Sequence, residues 1–330
     1  MQRKIGFTYD LRSEYIALGF KEEEAAEFDS DITIDSIEKV IRECGHIPDR
    51  IGHARSLCRR LAAGERWDLV FNIAEGLHGR SREAQVPCLL EIYDIPYSFS
   101  DPLVCAVTLD KAVAKRIVQS SNLQTPCFHV VRSEADLDAV NLPYPLFAKP
   151  IAEGTGKGID KTSCVQSAAQ LRELCLTLLA RYGQPVLVEE YLPGREFTVG
   201  ILGTGVQAKV LGTLEVAIRK NAETTIYTFE VKEKCDDLVD YSRPSRTPLI
   251  EAVEQLALDA YRALELRDGG RVDIRLDRHG RPAFMEVNPL PGLNPVHSDL
   301  PMIATQEGMS FSQLITSILN SALSRAGLLS

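Results

Sequence analysis

Hydrophobic and polar residues change period along the chain, and the changes predict alternating strands and helices. In residues 1–105, short apolar runs at Lys4–Thr8 and Asp68–Asn72 predict buried strands. Apolar residues three or four positions apart predict helices at Ser36–Cys44 and Val86–Tyr93. Alternation of this kind favours an α/β unit with an open, mostly parallel sheet, in which ligands bind at the loops that follow the strands.

Residues 106–193 show a second pattern of the same elements, and residues 194–330 a third that is richer in strands. The second unit is predicted to contain helices at Asp110–Val118 and Ala168–Tyr182 and strands at Phe128–Val131, Leu146–Lys149 and Pro185–Glu190. The third unit is predicted to contain strands between Glu196 and Val216, a helix from Pro248 to Leu264, a hairpin, and a final helix that opens with a capping box at Ser310–Gln313. The C-terminal half is therefore expected to be α+β.

The predicted hairpin has two arms that both alternate. Val272, Ile274 and Leu276 share one face of the first arm, and Phe284, Glu286 and Asn288 share one face of the second. If Arg278–Arg281 forms the turn, Asp277 pairs with Pro282, and counting back places Asp273 opposite Glu286 and Arg271 opposite Asn288.

This register places two carboxylates face to face, which destabilises a sheet unless a cation lies between them. An oxygen-only set of Asp273, Glu286 and Asn288 suits Mg²⁺ or Mn²⁺. The alternative is a solvated hairpin whose polar face has no ligand.

Composition limits the classes of partner. The chain has 330 residues and a formal net charge of −9 without basic tracts, which argues against nucleic acid. Its eight cysteines are scattered without C-x-x-C spacing, so they indicate reduced thiols and no zinc site. No apolar run approaches the roughly 18 residues that span a bilayer, and the N-terminus lacks the apolar core of a signal peptide. We expect a soluble, cytoplasmic protein without membrane partners.

A glycine-rich segment follows the strand that ends at Lys149. The segment Glu153-Gly154-Thr155-Gly156-Lys157-Gly158 matches neither the Walker A pattern nor G-x-G-x-x-G. Glycines leave backbone N–H groups free to meet phosphate oxygens, so the segment favours a mobile cover over a triphosphate. A glycine-rich hairpin without a ligand is the alternative.

Several motifs together resemble one family. Arg271-Val272-Asp273, Met285-Glu286-Val287-Asn288 and Leu290-Pro291-Gly292 are similar to the C-terminal signature of ATP-grasp ligases, specifically the D-alanine–D-alanine ligase family. The stretches Asn72–Gly79, Val188–Gly200 and Tyr227–Lys232 resemble the same family, in the same order. The resemblance implies an ATP-grasp fold: a Rossmann-like N-terminal substrate domain at 1–105, a central lid subdomain at 106–193, and a C-terminal domain at 194–330 that carries the metal and catalytic site.

The resemblance also implies roles for individual residues. It implies an ATP-dependent ligase that forms a peptide bond through an acyl phosphate, with ATP and Mg²⁺ as cofactors, amino-acid-type substrates, a place in peptidoglycan biosynthesis and a homodimer. The implied catalytic residues are Arg271, Gly292, His78 and Ser298, with His297 as an alternative to Ser298. The implied nucleotide-binding residues are Lys111, Lys149, Glu153, Gly154, Thr155, Gly156, Glu189, Glu190, Tyr191, Leu192, Glu196 and Lys232, and the implied metal ligands are Asp273, Glu286 and Asn288.

The resemblance is weakest where the family binds its first substrate. The family has a Gly- and Ser-rich loop after its first strand, with a glutamate that holds the ammonium of the first D-alanine, whereas this chain reads Gly6–Glu14 without such a loop. Arg80 and Arg82, which follow the His-Gly pair, favour a substrate with an additional acid group. The sequence therefore leaves open a ligase for D-alanine, a ligase for other amino acids or peptides, an ATP-grasp phosphotransferase, and a non-catalytic nucleotide-binding module.

Overall fold

The computed structural model describes residues 1–218 and 239–329 of the chain. The N-terminal elements are β1 (Lys4–Thr8), α1 (Arg12–Ala17), α2 (Asp31–Glu43), β2 (Ile47–Gly52), α3 (Ala54–Ala62), β3 (Leu69–Asn72), a 3-10 turn (Arg82–Ala84), α4 (Gln85–Ile92) and α5 (Pro102–Leu109). The three strands form a parallel sheet in the order β2-β1-β3, which confirms the predicted open parallel sheet. The hydrophobic pattern did not predict α1, β2, α3 or α5.

The central elements surround a four-stranded antiparallel sheet. They are α6 (Lys111–Ser120), β4 (Phe128–Val131), a 3-10 helix (Glu134–Ala139), β5 (Leu146–Pro150), β6 (Cys164–Val165), α7 (Ala168–Tyr182) and β7 (Val186–Glu190). The strand order is β4-β7-β5-β6, and α7 packs on β5 and β7 through a core that contains Leu171, Cys175 and Leu178. The glycine-rich segment connects β5 to β6.

The C-terminal elements form a five-stranded antiparallel sheet covered by helices. They are β8 (Glu196–Leu202), a 3-10 turn (Gly205–Gln207), β9 (Lys209–Ile218), β10 (Val239–Ser242), α8 (Pro248–Ala263), β11 (Gly269–Leu276), β12 (Pro282–Asn288), α9 (Asp299–Gln306) and α10 (Phe311–Arg325). The strand order is β10-β9-β8-β11-β12. The predicted capping box is confirmed, since the Ser310 side chain accepts from the Gln313 N–H and the Gln313 side chain accepts from the Ser310 N–H.

The C-terminal helix α10 belongs to the core of the N-terminal sheet. Its buried residues Leu314, Ile315 and Ile318 share one cluster with Phe7 and Phe71 of the parallel sheet. Arg3 near the N-terminus donates to the Leu328 carbonyl at 2.5 Å. The first and last parts of the chain therefore share one hydrophobic core.

The pairing of β11 with β12 agrees with the prediction at the open end of the hairpin and differs next to the turn. Asp273 lies opposite Glu286 and Arg271 opposite Asn288, as predicted, but Leu276 rather than Asp277 pairs with Pro282. A bulge after Asp273 accommodates Met285 as an extra residue and restores the register.

The bulge also corrects the predicted faces of β12. Because Met285 is inserted, Phe284 is fully buried with Ile274 and Val287 instead of sharing a face with Glu286. The predicted turn is one residue too short, because Asp277 belongs to it, and the prediction omits the bulge residue Met285 in β12. These two errors cancel at Asp273, which lies opposite Glu286 in both registers.

Among the described residues, none of the helices is long and apolar enough to span a bilayer.

Candidate active site

A cavity of about 490 Å³ lies where the three units meet. The N-terminal unit contributes Glu75, Arg82 and Glu83, and the central unit contributes Lys111 and the glycine-rich segment. The lining residues from the C-terminal unit include Arg271, Glu286, Asn288, Gly292, His297, Ser298 and Asp299. Nine of the nineteen residues predicted from different parts of the chain to form one site therefore line one cavity.

Asp273 and Glu286 face each other at the open end of the hairpin. The Asp273 carboxylate accepts hydrogen bonds from Thr198 Oγ1 at 2.9 Å and from the Arg271 guanidinium at 3.0 Å. Burial raises the pKa of Asp273 to about 6; Arg271 opposes the rise, and the nearby Glu286 and Asp299 add to it. The fold therefore holds like charges together beside a cavity, which is the arrangement that a cation stabilises.

The donor set at this end of the hairpin suits a hard divalent cation. Asp273, Glu286 and Asn288 are within reach of one another, and the Asn288 amide lies 3.4 Å from Asp273 Oδ2. Within residues 1–218 and 239–329 no group of three or more His, Cys, Asp or Glu side chains is placed to hold a metal, but this trio consists of two carboxylates and one amide. Oxygen ligands of this kind fit Mg²⁺ or Mn²⁺, whereas zinc sites usually include Cys or His ligands.

Arg271 lies between two carboxylates. Its Nη1 is 3.0 Å from Asp273 Oδ2 and 2.9 Å from Asp299 Oδ2 at the start of α9. These two pairs hold the guanidinium at the cavity wall. Asp299 was not among the residues that the sequence singled out.

A buried triad of charges lies behind the cavity. Glu189 at the end of β7 is fully buried, with Lys115 Nζ at 2.9 Å and Lys149 Nζ at 3.1 Å from its carboxylate oxygens. Burial works against ionisation of Glu189, but the two lysines outweigh it and lower its pKa. Burial likewise opposes the charge of Lys149, but Glu189 and Glu286 outweigh it and raise the pKa of Lys149.

The triad lies beside residues that the sequence predicts to bind nucleotide and metal. Lys149 Nζ is 3.8 Å from Glu286 Oε2, and Lys111 Nζ is 3.6 Å from the same oxygen. Lys115, which the sequence analysis did not select, lies one helical turn after Lys111 on α6 and is fully buried. The feature of the sequence that could have identified Lys115 is its i, i+4 spacing from Lys111 on an otherwise apolar helix face.

The glycine-rich segment is tied to the N-terminal unit by Glu27. The Glu27 carboxylate accepts from the Gly154 N–H at 2.6 Å and from Arg82 at 2.9 Å, and lies 3.7 Å from Lys157 Nζ. Burial opposes ionisation of Glu27, but Arg82 and Lys157 lower its pKa. A Cβ at Gly154 would lie 2.6 Å from Glu27 Oε1, so a larger residue here would force the Glu27 carboxylate to shift.

Other residues of the segment have local partners. The Glu153 carbonyl accepts from Lys111 Nζ at 2.5 Å, and the Glu153 carboxylate accepts from Gln184 at 2.6 Å. Thr155 has a φ of 50° and Gly156 a φ of 74°, so the backbone turns sharply over the cavity. Backbone turns of this kind expose N–H groups to an anion.

Two of the predicted nucleotide-binding residues, Tyr191 and Glu196, both lie close to Arg275. Tyr191 stacks on Phe147 with ring centroids 6.4 Å apart, and the Arg275 guanidinium lies 5.5 Å from the Tyr191 ring. Arg275 Nη1 also lies 3.2 Å from Glu196 Oε2. Burial raises the pKa of Glu196; Arg275 opposes this and Glu286 adds to it.

Three further residues of the predicted nucleotide-binding set, Glu189, Glu190 and Leu192, differ in the contacts of their side chains. The Glu190 carboxylate accepts from the Cys127 N–H at 3.2 Å, Leu192 is buried, and the Glu189 carboxylate holds the two lysines. A contact from Glu189 to a base would therefore come from its backbone.

Gly292 and Ser298 lie side by side after β12. A Cβ at Gly292 would be 2.8 Å from Ser298 Oγ, and Ser298 Oγ accepts from the Asn294 N–H at 3.0 Å. Ser298 directly precedes α9, and both it and the alternative His297 line the cavity. The structure therefore keeps both predicted candidates at the site.

His78 does not join the other predicted residues. Its side chain is exposed and lines a separate pocket of about 320 Å³ with Glu14 and Tyr15. Its contribution to the fold is its backbone carbonyl, which accepts from Gln85 at 2.9 Å. Lys232 lies outside the described residues.

The two arginines that follow His78 contact different partners. Arg80 is exposed and pairs with Asp110 at 2.6 Å, while Arg82 donates to Glu27 and to the Ala152 carbonyl. Both charges have partners inside the protein, and the expectation that they recognise an extra acid group on the substrate stays a prediction.

Comparison with known proteins agrees with this geometry. A family model described as D-ala D-ala ligase C-terminus matches residues 117–320. An uncharacterized protein of Sinorhizobium fredii is 32% identical over 87% of this chain and 86% of its own length. D-alanine–D-alanine ligase of Aquifex aeolicus is 34% identical over 86% of this chain and 92% of its own length.

Solved structures share the fold at lower identity. A crystal structure of D-alanine–D-alanine ligase from Bacillus anthracis complexed with ATP superposes with a TM-score of 0.73 at 22% identity, and covers 98% of this chain and 99% of that chain. VanG D-Ala:D-Ser ligase from Enterococcus faecalis gives a TM-score of 0.74 at 20% identity, and covers 98% of this chain and 100% of that chain. These likenesses confirm the predicted ATP-grasp fold, and together with the family model and the curated relatives they show that the chain belongs to the D-alanine–D-alanine ligase family.

Proposed function

We propose that this protein joins the carboxylate of one amino-acid-type substrate to the amine of another, using ATP to activate the carboxylate as an acyl phosphate. Membership of the family makes the chain an ATP-dependent ligase that forms C–N bonds. The D-alanine–D-alanine and D-Ala:D-Ser ligases among its relatives make D-alanine the first donor to test.

The main observation in support of the proposal is that three charged side chains, Lys111, Lys149 and Glu286, lie close together. Lys111 and Lys149 both lie within 3.8 Å of Glu286 Oε2, and Glu286 faces Asp273 across the hairpin. Lysines beside a carboxylate pair at a cavity wall suit a polyphosphate with its divalent cation. We propose that Lys111, Lys149 and the backbone of Gly154, Thr155 and Gly156 bind the phosphates.

The other predicted nucleotide-binding residues suit the base and the ribose of the same nucleotide. Tyr191, backed by Phe147 and Arg275, offers an aromatic edge for the base, with Leu192 buried beside it and Glu189 and Glu190 contributing backbone groups. We propose that Glu196, which pairs with Arg275, accepts hydrogen bonds from the ribose hydroxyls. Glu153 orients the segment through Lys111 and Gln184.

Asp273, Glu286 and Asn288 would hold Mg²⁺ or Mn²⁺. When bound, the metal neutralises charge on the transferring phosphoryl group. The chain's own contribution is to hold Asp273 and Glu286 opposite each other, with Thr198 and Arg271 orienting Asp273.

Attack of the amine on the acyl phosphate forms a tetrahedral oxyanion, which needs preorganised donors. We propose Arg271 and the Gly292 N–H for that role, because both line the cavity and the absence of a Cβ at Gly292 leaves its backbone accessible. Ser298 beside Gly292 would contact the second substrate, with His297 as the alternative. Phosphate then leaves and the amine proton passes to solvent.

The test is phosphate release from Mg-ATP across single and paired D- and L-amino acids, with mass spectrometry of the products. Release with D-alanine alone, giving the dipeptide, would support a role in peptidoglycan biosynthesis. Turnover only with another acid and amine would support a ligase with different substrates.

ADP formation with a stable phosphorylated product and no requirement for an amine would identify a phosphotransferase instead. Nucleotide binding without turnover of any kind would identify a binding module. The same preparations, analysed by light scattering, would test the proposed homodimer, and fractionation of cells would test the proposed cytoplasmic location.

A further inference from the structure

Helix α9 packs closely on the C-terminal sheet, next to Arg271. Gly200 of β8 pairs with Arg271 of β11 on one side and with Gly212 of β9 on the other, so the two glycines continue the row of Arg271 across the sheet. A Cβ at Gly200 would lie 2.8 Å from Leu300, and a Cβ at Gly212 would lie 3.0 Å from Ile303. Larger residues in this row would therefore push against the helix.

This packing fixes the position of Asp299, the first residue of α9. The next residue, Leu300, is fully buried, and so is most of Ile303, so the start of the helix cannot move without exposing apolar surface. Asp299 lines the cavity, and its Oδ2 lies 2.9 Å from Arg271 Nη1. The Asp299 carboxylate is thus held beside Arg271 by an element that does not belong to the hairpin.

Arg271 Nη1 is shared by two carboxylates with different surroundings. It lies 3.1 Å and 3.0 Å from the two carboxylate oxygens of Asp273, which faces Glu286 in the proposed metal site. Asp299, in contrast, is at the N-terminus of a helix, where the helix dipole stabilises a carboxylate. Only the first of these two partners of Arg271 is a proposed metal ligand.

The guanidinium and a divalent cation would compete for Asp273. Arg271 contacts both oxygens of the Asp273 carboxylate, and a hard cation bound by Asp273 needs at least one of them. The two positive charges also repel each other. Metal binding would therefore weaken the pair between Arg271 and Asp273, whereas the pair between Arg271 and Asp299 has no such competitor.

We propose that Asp299 is a positioning residue that holds Arg271 at the cavity wall while Asp273 binds the divalent cation. Its carboxylate reduces the competition of Arg271 with the metal, and it keeps the guanidinium at the wall that also contains Gly292. The inference rests on the proposed metal ligands and on the proposed role of Arg271 in the ligase reaction.

The experiment measures metal binding without turnover. The protein is mixed with Mn²⁺ and the β,γ-methylene analogue of ATP, whose terminal phosphoryl group is not transferred, and EPR spectroscopy measures the free Mn²⁺. A matched sample without protein gives the metal held by the analogue alone. The variants are Asp299→Asn and Asp299→Ser, each made in the wild-type chain and in Arg271→Met, and Asp273→Asn identifies the Mn²⁺ bound at the hairpin.

We expect Asp299→Asn to raise the Kd for Mn²⁺ by about tenfold or more, because Arg271 then pairs more strongly with Asp273. In Arg271→Met the same substitution should raise the Kd by less than about threefold, because no guanidinium is left to compete. Asp299→Ser should behave in the same way, which keeps the test informative if one variant is unstable.

Glu307, which directly follows α9, provides the matched control. Its carboxylate pairs with Arg243 at 2.6 Å and lines a different pocket from Arg271. Glu307→Gln therefore weakens a carboxylate–arginine pair at the other end of the same helix, and it should keep the wild-type Kd for Mn²⁺.

Unchanged Mn²⁺ binding in both Asp299 variants, or an equal loss in Glu307→Gln, would overturn the proposal while leaving the proposed function in place. Equal effects of Asp299→Asn with and without Arg271 would also overturn it, because Asp299 would then act on the metal through its own charge. Absence of Mn²⁺ binding by the wild-type protein, or binding that Asp273→Asn leaves unchanged, would remove the proposed metal site and with it this inference.

Discussion

Arg271 and Arg275 lie four residues apart on β11 and contact different partners. Arg271 pairs with Asp273 and Asp299, whereas Arg275 pairs with Glu196 and lies against Tyr191. The two arginines therefore provide a matched test of the proposed roles of the two ends of the site.

Arg271→Ala should lower kcat by about 100- to 1000-fold, the usual effect of removing one oxyanion donor, with less than about threefold change in the Kd for ATP. Arg275→Ala should show the opposite pattern, with weakened ATP binding and a smaller effect on kcat. Steady-state kinetics and calorimetry on both variants measure this. Equal losses of rate and ATP affinity in Arg271→Ala would remove its proposed role.

The raised pKa of Glu83 predicts a pH dependence of stability. Burial raises it from 4.5 to about 7, so the folded protein keeps a proton that the unfolded chain releases between these values. Stability from this group is present below pH 4.5 and is lost as the pH rises through about 7, by up to about 3 kcal/mol. The groups that face it are Glu75, Glu27, Arg82 and Lys111.

Glu83→Gln should therefore gain stability relative to wild type between pH 5 and pH 8. Melting temperatures by scanning calorimetry at both values would measure this gain, with Glu14→Gln as the control. A difference between Glu83→Gln and wild type that stays constant with pH would contradict the proposed protonation of Glu83.

At the residue scale, motifs identified the candidate site residues of the hairpin but not the residues elsewhere in the chain that hold the site in place. Short sequence motifs were enough to identify Asp273, Glu286 and Gly292 as candidate site residues. Lys115 contacts Glu189, 74 residues away, and Glu27 contacts Gly154, 127 residues away. Asp299 contacts Arg271, 28 residues away. Such contacts depend on the packing of separate elements, and no local pattern specifies them.

Helix α6 and strand β7 are joined by the buried Lys115–Glu189–Lys149 triad. Removing one member of a buried ion pair typically costs about 3–5 kcal/mol because the other charge is left without a partner. The pair Lys115 and Glu189 should therefore be strongly coupled.

A double-mutant cycle of Lys115→Met and Glu189→Gln should give a coupling energy of about 2 kcal/mol or more in urea unfolding. The control is the pair Arg172 and Glu134, whose side chains are 46% and 58% exposed, and which should couple by less than about 1 kcal/mol. Additive losses at Lys115 and Glu189 would mean that Lys149 alone satisfies Glu189.

At the element scale, period and length predicted most helices and strands, including α7 and β4 at their observed bounds. The elements that were missed are short or polar: α1 has 6 residues, and β2 reads IPDRIG. The bulge at Met285 could not be predicted because alternation fixes a register only while each strand contributes one residue per pair.

The glycine-rich segment was expected to be a mobile cover, and in the described structure Glu27 ties it to the N-terminal unit. Arg181 and Tyr182 of α7 add contacts to Glu23 at 2.6 Å and 2.9 Å. Opening of the cover therefore requires the loss of contacts between the central and N-terminal units.

Glu27→Gln should make the cover open more often. It weakens the contacts to Arg82 and Lys157, and a loss of about 2 kcal/mol would raise the open population about 30-fold. Trypsin cleavage after Lys157, which is 9% exposed, measures that population. Glu22→Gln is the control, since the Glu22 side chain is 70% exposed and pairs with Arg12. Equal cleavage of the two variants would mean that Glu27 does not hold the cover.

At the scale of the whole molecule, the domain division at residues 105 and 193 remains a prediction. The sheets follow the three predicted segments, whereas the hydrophobic cores do not, because α10 lies with the parallel sheet. Periodicity shows which face of a helix is apolar but not which sheet it covers, so this long-range pairing was beyond the sequence pattern.

The shared core of the chain's two ends has a consequence for synthesis on the ribosome. The parallel sheet leaves the ribosome well before Leu314, Ile315 and Ile318, which cover it. The nascent sheet therefore keeps an uncovered apolar face until α10 has been synthesised. A ribosome stalled before α10 would hold a chain that chaperones recognise, and a truncation that removes α10 would expose the core of the parallel sheet.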